Sequence, residues 1–241
     1  MERVILESKY RLIQFTGSSK VAEKLSKLTH GKVKIEDAGF DWKLQGPDVS
    51  NIDYVAWQCD QDAYAATGQK CSAQSILYCH QNWIKNGFLD KLKALQSRRK
   101  LSDLTIGPVL TWNNQQIQHH VDQLLKLEGA KLLFGEYKDD NELNEVLQHF
   151  NQMENHLTAA VVSNDMVFIN KIASNTINGV TYTGIRARTT GAPQNHWFGP
   201  CGDPRGAGIG TKEAILHVWT THREVIQDIA IEDGWKTPDC S

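Results

Sequence analysis

Apolar and polar positions at the start of the chain predict a strand, a turn, a helix and a second strand. Residues 4 to 16 carry two apolar runs typical of extended structure, and this segment ends at Gly17-Ser18-Ser19. Lys20–Leu28 has its apolar side chains on one helical stripe, with Ser18 near the N-cap. Lys32–Glu36 is then predicted to be a strand. A helix start of this kind can receive a phosphate, although most capping serines only cap.

A second helix and strand surround a cysteine. Asn51–Ala66 places its small and apolar residues near one helical face, with Ser50 or Asn51 as cap, and Gly68 closes the run. Ser75–His80 is short, apolar and partly β-branched, as a buried strand would be. Cys71 therefore lies at a helix-to-strand junction, where a backbone amide can face a substrate. It is our candidate nucleophile; the alternative is a small buried apolar side chain.

Strands and helices continue to alternate along the remaining chain. Helices are predicted at 89–99, 113–128, 139–152 and 165–174, and strands at 131–134, 157–163 and 179–183. The segment 191–210 is too rich in glycine and proline for regular structure, and 212–226 is predicted to be a helix followed by an extended edge to 231. This order predicts an α/β fold with a largely parallel sheet.

Composition narrows the possible partners and ligands. The 241 residues carry a net charge of −2, so nothing indicates nucleic acid binding, and no apolar run approaches the ~20 residues of a membrane span. Five cysteines without a CxxC pair argue against a disulfide scaffold or zinc ribbon. The adjacent His119 and His120 point in different directions on a helix, so we predict no metal site.

Three motifs in order resemble the NAD(P)-dependent aldehyde dehydrogenases. Phe15-Thr16-Gly17-Ser18-Ser19 resembles the turn that faces the cofactor pyrophosphate, Glu36-Asp37-Ala38-Gly39 the general-base motif, and Gly68-Gln69-Lys70-Cys71 the nucleophile motif. Cys71 follows Glu36 by 35 residues, about the family spacing. The segments 195–200 and 206–210 stand where the family has two further loops. Within the family, the stretches 36–43, 54–63 and 189–197 are similar to the plant and protist Δ1-pyrroline-5-carboxylate dehydrogenases.

The resemblance implies a reaction and a set of roles. Cys71 would attack an aldehyde, NAD would accept hydride, and Glu36 would activate water to hydrolyse the thioester. Gly17 and Ser18 would bind the cofactor, while Ser72, Gly206 and Ala207 would anchor the carboxylate of the substrate, glutamate γ-semialdehyde. The family also implies a homo-oligomer and a mitochondrial location.

We accordingly expect three regions: a remnant of the Rossmann-like NAD-binding domain at 1–45, the catalytic domain at 46–210, and a C-terminal helix with an oligomerisation edge at 211–241. Most of the dinucleotide-binding half is expected to be absent. The family's Glu-x-Phe-Gly-Pro segment, whose glutamate holds the nicotinamide ribose, is also missing between Gly135 and Tyr137.

Two other hypotheses remain open at this point. A cysteine hydrolase would need a histidine base near Cys71, and His80 is the nearest in sequence. A catalytically inactive chain could instead persist as an assembly partner through its C-terminal edge.

Overall fold

The computed structural model describes residues 2–100, 102, 105–128, 143–153, 156–190, 199–201 and 205–227. Its strands are β1 Ile13–Thr16, β2 Val33–Glu36, β3 Asp41–Gln45, β4 Gln74–Cys79, β5 Thr158–Val162 and β6 Val180–Thr183. Its helices are α1 Glu2–Glu7, α2 Ser19–Leu28, α3 Ile52–Tyr64, α4 Gln81–Lys85, α5 Phe88–Gln96, α6 Asn114–Leu124, α7 Leu143–Gln152, α8 Met166–Ala173 and α9 Lys212–Ala214.

The strands form two parallel sheets. One consists of β1 and β2, and the other has the order β4-β3-β5-β6. Every pairing is parallel, and β5 is buried along its whole length, as expected for a strand covered on both faces. The α/β fold with a parallel sheet is therefore confirmed.

Helices cover both faces of the four-stranded sheet. On one face, Trp42 and Leu44 of β3 pack with side chains of α7 and α8, and the Trp42 ring stacks on Phe150 with centroids 3.8 Å apart. On the other face, Val162 of β5 packs in a cluster with residues of α3, α4 and α5, among them Trp83. This layering fixes which side of β3 faces which helices.

The two-stranded sheet has its own small core. Ala22 of α2 packs with Val33 and Ile35 of β2, and the partly buried Ile13 and Phe15 of β1 lie against them. An isolated bridge also pairs Ile35 with Gly206, so β2 receives a segment from late in the chain.

Most predicted elements are present within the described residues, with ends displaced by a few positions. Several predictions fall outside the described residues. They are the strand at 131–134, the block missing near 135–137, the start of the helix at 139–142 and the end of the C-terminal edge at 228–231. The loop at 191–210 is described only at 199–201 and 205–210.

Two predicted elements are wrong, and one strand was not predicted. Residues 4–6 belong to helix α1 rather than to a strand. The helix expected at 212–226 has only three α-helical residues, followed by a π-helical turn at Ile215–Trp219. The strand that was not predicted is β3, which is hydrogen-bonded to β4 and β5 in the four-stranded sheet.

Within the described part of the chain, no helix combines the length and apolar character needed to cross a membrane.

The stacked Trp42 provides a test of the core. Trp42 is 1% exposed, whereas Trp57 on α3 is 43% exposed. We expect Trp42→Ala to lower the free energy of unfolding by about 3–5 kcal/mol, because it removes a buried aromatic ring and leaves a cavity. Trp57→Ala is the matched control and should cost less than about 1 kcal/mol. Urea denaturation followed by circular dichroism measures both, and equal losses would contradict this packing.

Candidate active site

Cys71 lies in a tight turn that connects α3 to β4. After α3 the backbone at Ala66, Thr67 and Gly68 is left-handed, with φ of 54°, 60° and 68°. The turn itself closes where the Ala73 amide donates to the Lys70 carbonyl at 3.1 Å, which places Cys71 and Ser72 at its two central positions. Left-handed alanine and threonine are unfavourable, so neighbouring contacts must hold this conformation.

A segment at 107–110 supplies those contacts. The Gly107 amide donates to the Thr67 hydroxyl at 2.9 Å. The Gln69 side chain donates to the Pro108 carbonyl at 3.0 Å and accepts from the Leu110 amide at 2.8 Å. The approach to Cys71 is therefore fixed from outside the α3–β4 unit.

Glu36 reaches Cys71 from the other sheet. It ends β2, and its carbonyl accepts a hydrogen bond from the Gly17 amide at 3.1 Å. The connection at 37–40 then passes close to the nucleophile turn: a Cβ placed on Gly39 would lie 2.8 Å from the Cys71 carbonyl oxygen. The Cys71 thiol is hydrogen-bonded to the Glu36 side chain. The structure thus brings these two predicted residues together.

The surroundings of Cys71 favour its protonated form. Burial of the sulfur raises the thiol pKa most, and the hydrogen bond to Glu36 and the charges of Glu36 and Asp41 raise it further, to about 12. The Cys71 backbone amide opposes this by hydrogen-bonding the sulfur, which lowers the pKa. At neutral pH the thiol therefore carries its proton, and the adjacent carboxylate is positioned to accept it.

Asp41 is an acidic neighbour that the sequence did not reveal. It is fully buried at the start of β3, and its Oδ1 accepts hydrogen bonds from the Thr158 amide and hydroxyl, both at 2.6 Å. Burial raises its pKa from 3.8 to about 7, against the lowering effect of Thr158. Its position beside Glu36 and Cys71 becomes evident only when β3 joins the sheet.

Gly206 and Ala207 lie against β2, next to Glu36. The Ile35 amide donates to the Arg205 carbonyl at 3.1 Å, and the Ala207 amide donates to the Ile35 carbonyl at 3.3 Å. Ala207 is buried, and so is Ser72 beside the nucleophile. Of the three predicted substrate-binding residues, Ser72 is therefore adjacent to Cys71, and Gly206 and Ala207 are adjacent to the strand that ends at Glu36.

Gly17 and Ser18 connect the carboxyl end of β1 to the start of α2, the end at which open parallel sheets bind nucleotides. A Cβ on Gly17 would lie 2.6 Å from the Phe15 ring, so a side chain at this position would displace that ring. Ser18 holds the N-cap position, but its hydroxyl makes no capping hydrogen bond. The residues present fit the phosphate end of a dinucleotide.

His80 does not provide the base that a cysteine hydrolase would need. His80 follows the last residue of β4, whereas Cys71 lies before the first residue of that strand. The six residues of β4, at about 3.3 Å each, therefore separate His80 from Cys71. The His80 ring accepts a hydrogen bond from the Asn82 amide as the N-cap of α4.

A buried ion pair supports the site from behind. The Lys43 ammonium lies 2.6 Å from Asp62 Oδ2, and both side chains are fully buried. Asp62 also accepts hydrogen bonds from the Thr189 and Thr190 amides and from the Thr190 hydroxyl. The network joins β3 and α3 to the segment after β6.

Comparison with known proteins identifies the family. The family model described as "Aldehyde dehydrogenase family" matches residues 1–144, more than half of the chain. The chain belongs to the aldehyde dehydrogenase family. It is 49% identical over 289 residues to the protein of Arabidopsis thaliana named "Delta-1-pyrroline-5-carboxylate dehydrogenase 12A1, mitochondrial", covering 99% of this chain and 52% of that one.

Solved structures of the family share the fold. A putative aldehyde dehydrogenase from Burkholderia cenocepacia matches with a TM-score of 0.76 and 19% identity, over 91% of this chain and 53% of that chain. A 1-pyrroline-5-carboxylate dehydrogenase from Thermus, solved with bound NAD, matches with a TM-score of 0.65 and 20% identity, over 87% and 49%.

This chain spans about half the length of the curated relatives it matches. The alignment to the Arabidopsis aldehyde dehydrogenase extends over 289 residues, whereas this chain has 241, so at least 48 aligned positions have no counterpart here. The family model match ends at residue 144, shortly after the place where the sequence lacks the Glu-x-Phe-Gly-Pro segment.

Removing one member of the buried ion pair tests its structural role. Lys43→Met leaves Asp62 charged, buried and without its cation, and should lower the free energy of unfolding by about 3–5 kcal/mol. Lys91→Met is the matched control, because Lys91 and Asp53 form an ion pair at 2.8 Å with both side chains largely exposed. Its cost should stay below about 1 kcal/mol in the same denaturation experiment. A small loss for Lys43→Met would show that the pair is not buried as described.

Asp41 gives a pH dependence with a defined sign. The pKa of Asp41 is about 7 in the folded chain, compared with its ordinary value of 3.8. Between these two pH values the folded chain holds a proton on Asp41 that the unfolded chain has lost. Its contribution to stability therefore falls as pH rises from about 4 to 7, by about 1.4 kcal/mol per unit of pKa difference. Asp41→Asn removes this dependence. The variant's free energy of unfolding relative to wild type should rise across that interval and then level off; a constant difference would contradict the assignment.

Proposed function

We propose that the protein oxidises an aldehyde with NAD, and that the substrate is glutamate γ-semialdehyde, which becomes glutamate. The observation that carries this proposal is the contact of the Glu36 carboxylate with the Cys71 thiol where the two parallel sheets meet. The printed name of the Arabidopsis relative supports the choice of substrate.

Cys71 begins the reaction. Glu36 accepts the thiol proton, and the sulfur forms a bond to the aldehyde carbon, giving a thiohemiacetal. The Cys71 amide, which already faces its own sulfur, is positioned to stabilise the negative charge that develops on the aldehyde oxygen. Once bound, NAD would supply the hydride acceptor, with Gly17 and Ser18 holding its pyrophosphate.

Glu36 completes the reaction. Glu36 releases the thiol proton to solvent before the hydrolysis step. The acyl group is by then a thioester on Cys71, and Glu36, again a carboxylate, removes a proton from the water molecule that attacks it. The carbon–sulfur bond then breaks, the carboxylic acid leaves and the thiol is restored. Ser72, Gly206 and Ala207 are proposed to anchor the second carboxylate of the substrate. Ser72 lies beside the sulfur, and Gly206 and Ala207 adjoin the strand that carries Glu36.

On the same grounds we propose a mitochondrial location and a homo-oligomeric assembly. The name of the Arabidopsis relative includes the compartment. The β1–β2 sheet is small and leaves Leu12 and Val21 exposed, which supports a further covering segment or subunit.

The thioester step can be tested without NAD. Burst-phase p-nitrophenyl acetate hydrolysis measures acylation of Cys71 and its later hydrolysis separately. We expect Cys71→Ala to abolish the burst. Glu36→Gln should slow acylation, because Glu36 takes the thiol proton, and should slow deacylation by about 10²–10⁴-fold, because the base that activates water is lost. Intact mass detects the acyl-enzyme that accumulates. NADH formation from glutamate γ-semialdehyde by the same variants then tests the full reaction.

Cys201→Ala is the control, since Cys201 is also exposed but lies in a separate segment. It should leave both phases unchanged. An undiminished burst in Cys71→Ala, or normal deacylation in Glu36→Gln, would refute the assigned roles.

A further inference from the structure

Asp41 has an incomplete set of hydrogen bonds. Its side chain is fully buried, and Thr158 donates twice to Oδ1, but Oδ2 is buried with no hydrogen-bond partner. A buried carboxylate oxygen without a partner is costly when charged, and the cost falls when the group carries a proton. None of the ion pairs in the described segments involves Asp41; Lys43, two residues along β3, pairs with Asp62 instead.

The backbone places Asp41 at the nucleophile turn. Glu36 ends β2 and Asp41 begins β3, and the four residues between them pass over Cys71, where Gly39 leaves no room for a Cβ. Asp41 is also paired in register with Gln74, three residues beyond the nucleophile, and its amide donates to the Ser75 hydroxyl at 3.4 Å. The charge of Asp41 is therefore close enough to raise the pKa of the Cys71 thiol, as the charge of Glu36 does.

Three acidic groups in such proximity cannot all be ionised. Glu36 from β2 and Cys71 from the turn are the titratable groups that interact with Asp41 across this site, while β5 contributes only the neutral Thr158. Glu36 Oε1 is likewise buried without a partner. The charge on Asp41 therefore acts directly on the ionisation of Cys71.

We propose that Asp41 is a positioning residue that sets the charge facing Cys71: while Asp41 holds its proton, the Cys71 thiolate forms against one fewer negative charge. This inference rests on the proposed function in taking Cys71 as nucleophile and Glu36 as base. When Asp41 loses its proton, its charge opposes formation of the thiolate. Asp41 thus limits the nucleophile at high pH without touching the substrate.

The test is the rate of Cys71 alkylation by iodoacetamide as a function of pH, measured on the full chain by peptide mass spectrometry. Asp41→Asn keeps an oxygen for Thr158 but cannot ionise. We expect its apparent thiol pKa to fall by about one unit, with roughly tenfold faster alkylation at a pH above the Asp41 pKa of about 7 and below the thiol pKa of both chains. A purely structural role would change stability without moving this pKa.

Asp48→Asn is the matched control. Asp48 follows β3 at its opposite end and accepts from the Ser163 hydroxyl and the Asn164 amide, the same two kinds of donor that Asp41 uses. Its alkylation profile should match wild type. The buried Cys59 and Cys79 should stay unlabelled in every folded sample, which reports folding within the same digest.

Thr158→Val provides a second route if Asp41→Asn does not fold. It removes the hydroxyl donor that stabilises charged Asp41, so Asp41 keeps its proton to higher pH and alkylation of Cys71 should be faster than in wild type just above about pH 7. An unchanged or raised thiol pKa in a folded Asp41→Asn chain, or wild-type alkylation just above about pH 7 in a folded Thr158→Val chain, would overturn the proposal. Because alkylation needs neither aldehyde nor NAD, such a result is distinguishable from failure of the proposed oxidation.

Discussion

The structure depends on how four residues cross from one parallel sheet to another. Glu36 is the last residue of β2 and Asp41 the first of β3, so the connection between them has little freedom. It lies against the Cys71 backbone at Gly39, where even a methyl group would collide with a carbonyl oxygen. Because the crossing is short and close-fitting, folding of the two sheets itself sets the carboxylate against the thiol.

A layer of polar side chains beneath this crossing explains why the four-stranded sheet keeps its register. Asp41, Lys43 and Gln45 alternate with Trp42 and Leu44 along β3, and all five are buried. The apolar pair faces α7 and α8, while Lys43 meets Asp62 of α3. If β3 were shifted by one residue in the sheet, Asp41 and Lys43 would face the aromatic cluster of Trp42 and Phe150. The alternation of polar and apolar residues in β3 therefore excludes that register.

Sequence reasoning succeeded where a residue's role follows from local pattern. Helical stripes and short apolar runs located α2, α3, β4, β5 and α8. The pairing of Glu36 with Cys71 came instead from the resemblance of their motifs to the aldehyde dehydrogenases. It failed for β3, because a strand that buries Asp41 and Lys43 looks polar until their partners at Thr158 and Asp62 are known. Nor could periodicity indicate left-handed backbone at Ala66 and Thr67, which depends on contacts from 107–110.

The sulfur and its acidic neighbour belong to different sheets: Cys71 precedes the amino end of β4, and Glu36 closes the carboxyl end of β2. Their separation therefore depends on the connection at 37–40 and on the bridge between Gly206 and Ile35, as well as on side-chain rotamers. A substitution that loosened either connection would move the acid away from the base without changing a residue that reacts.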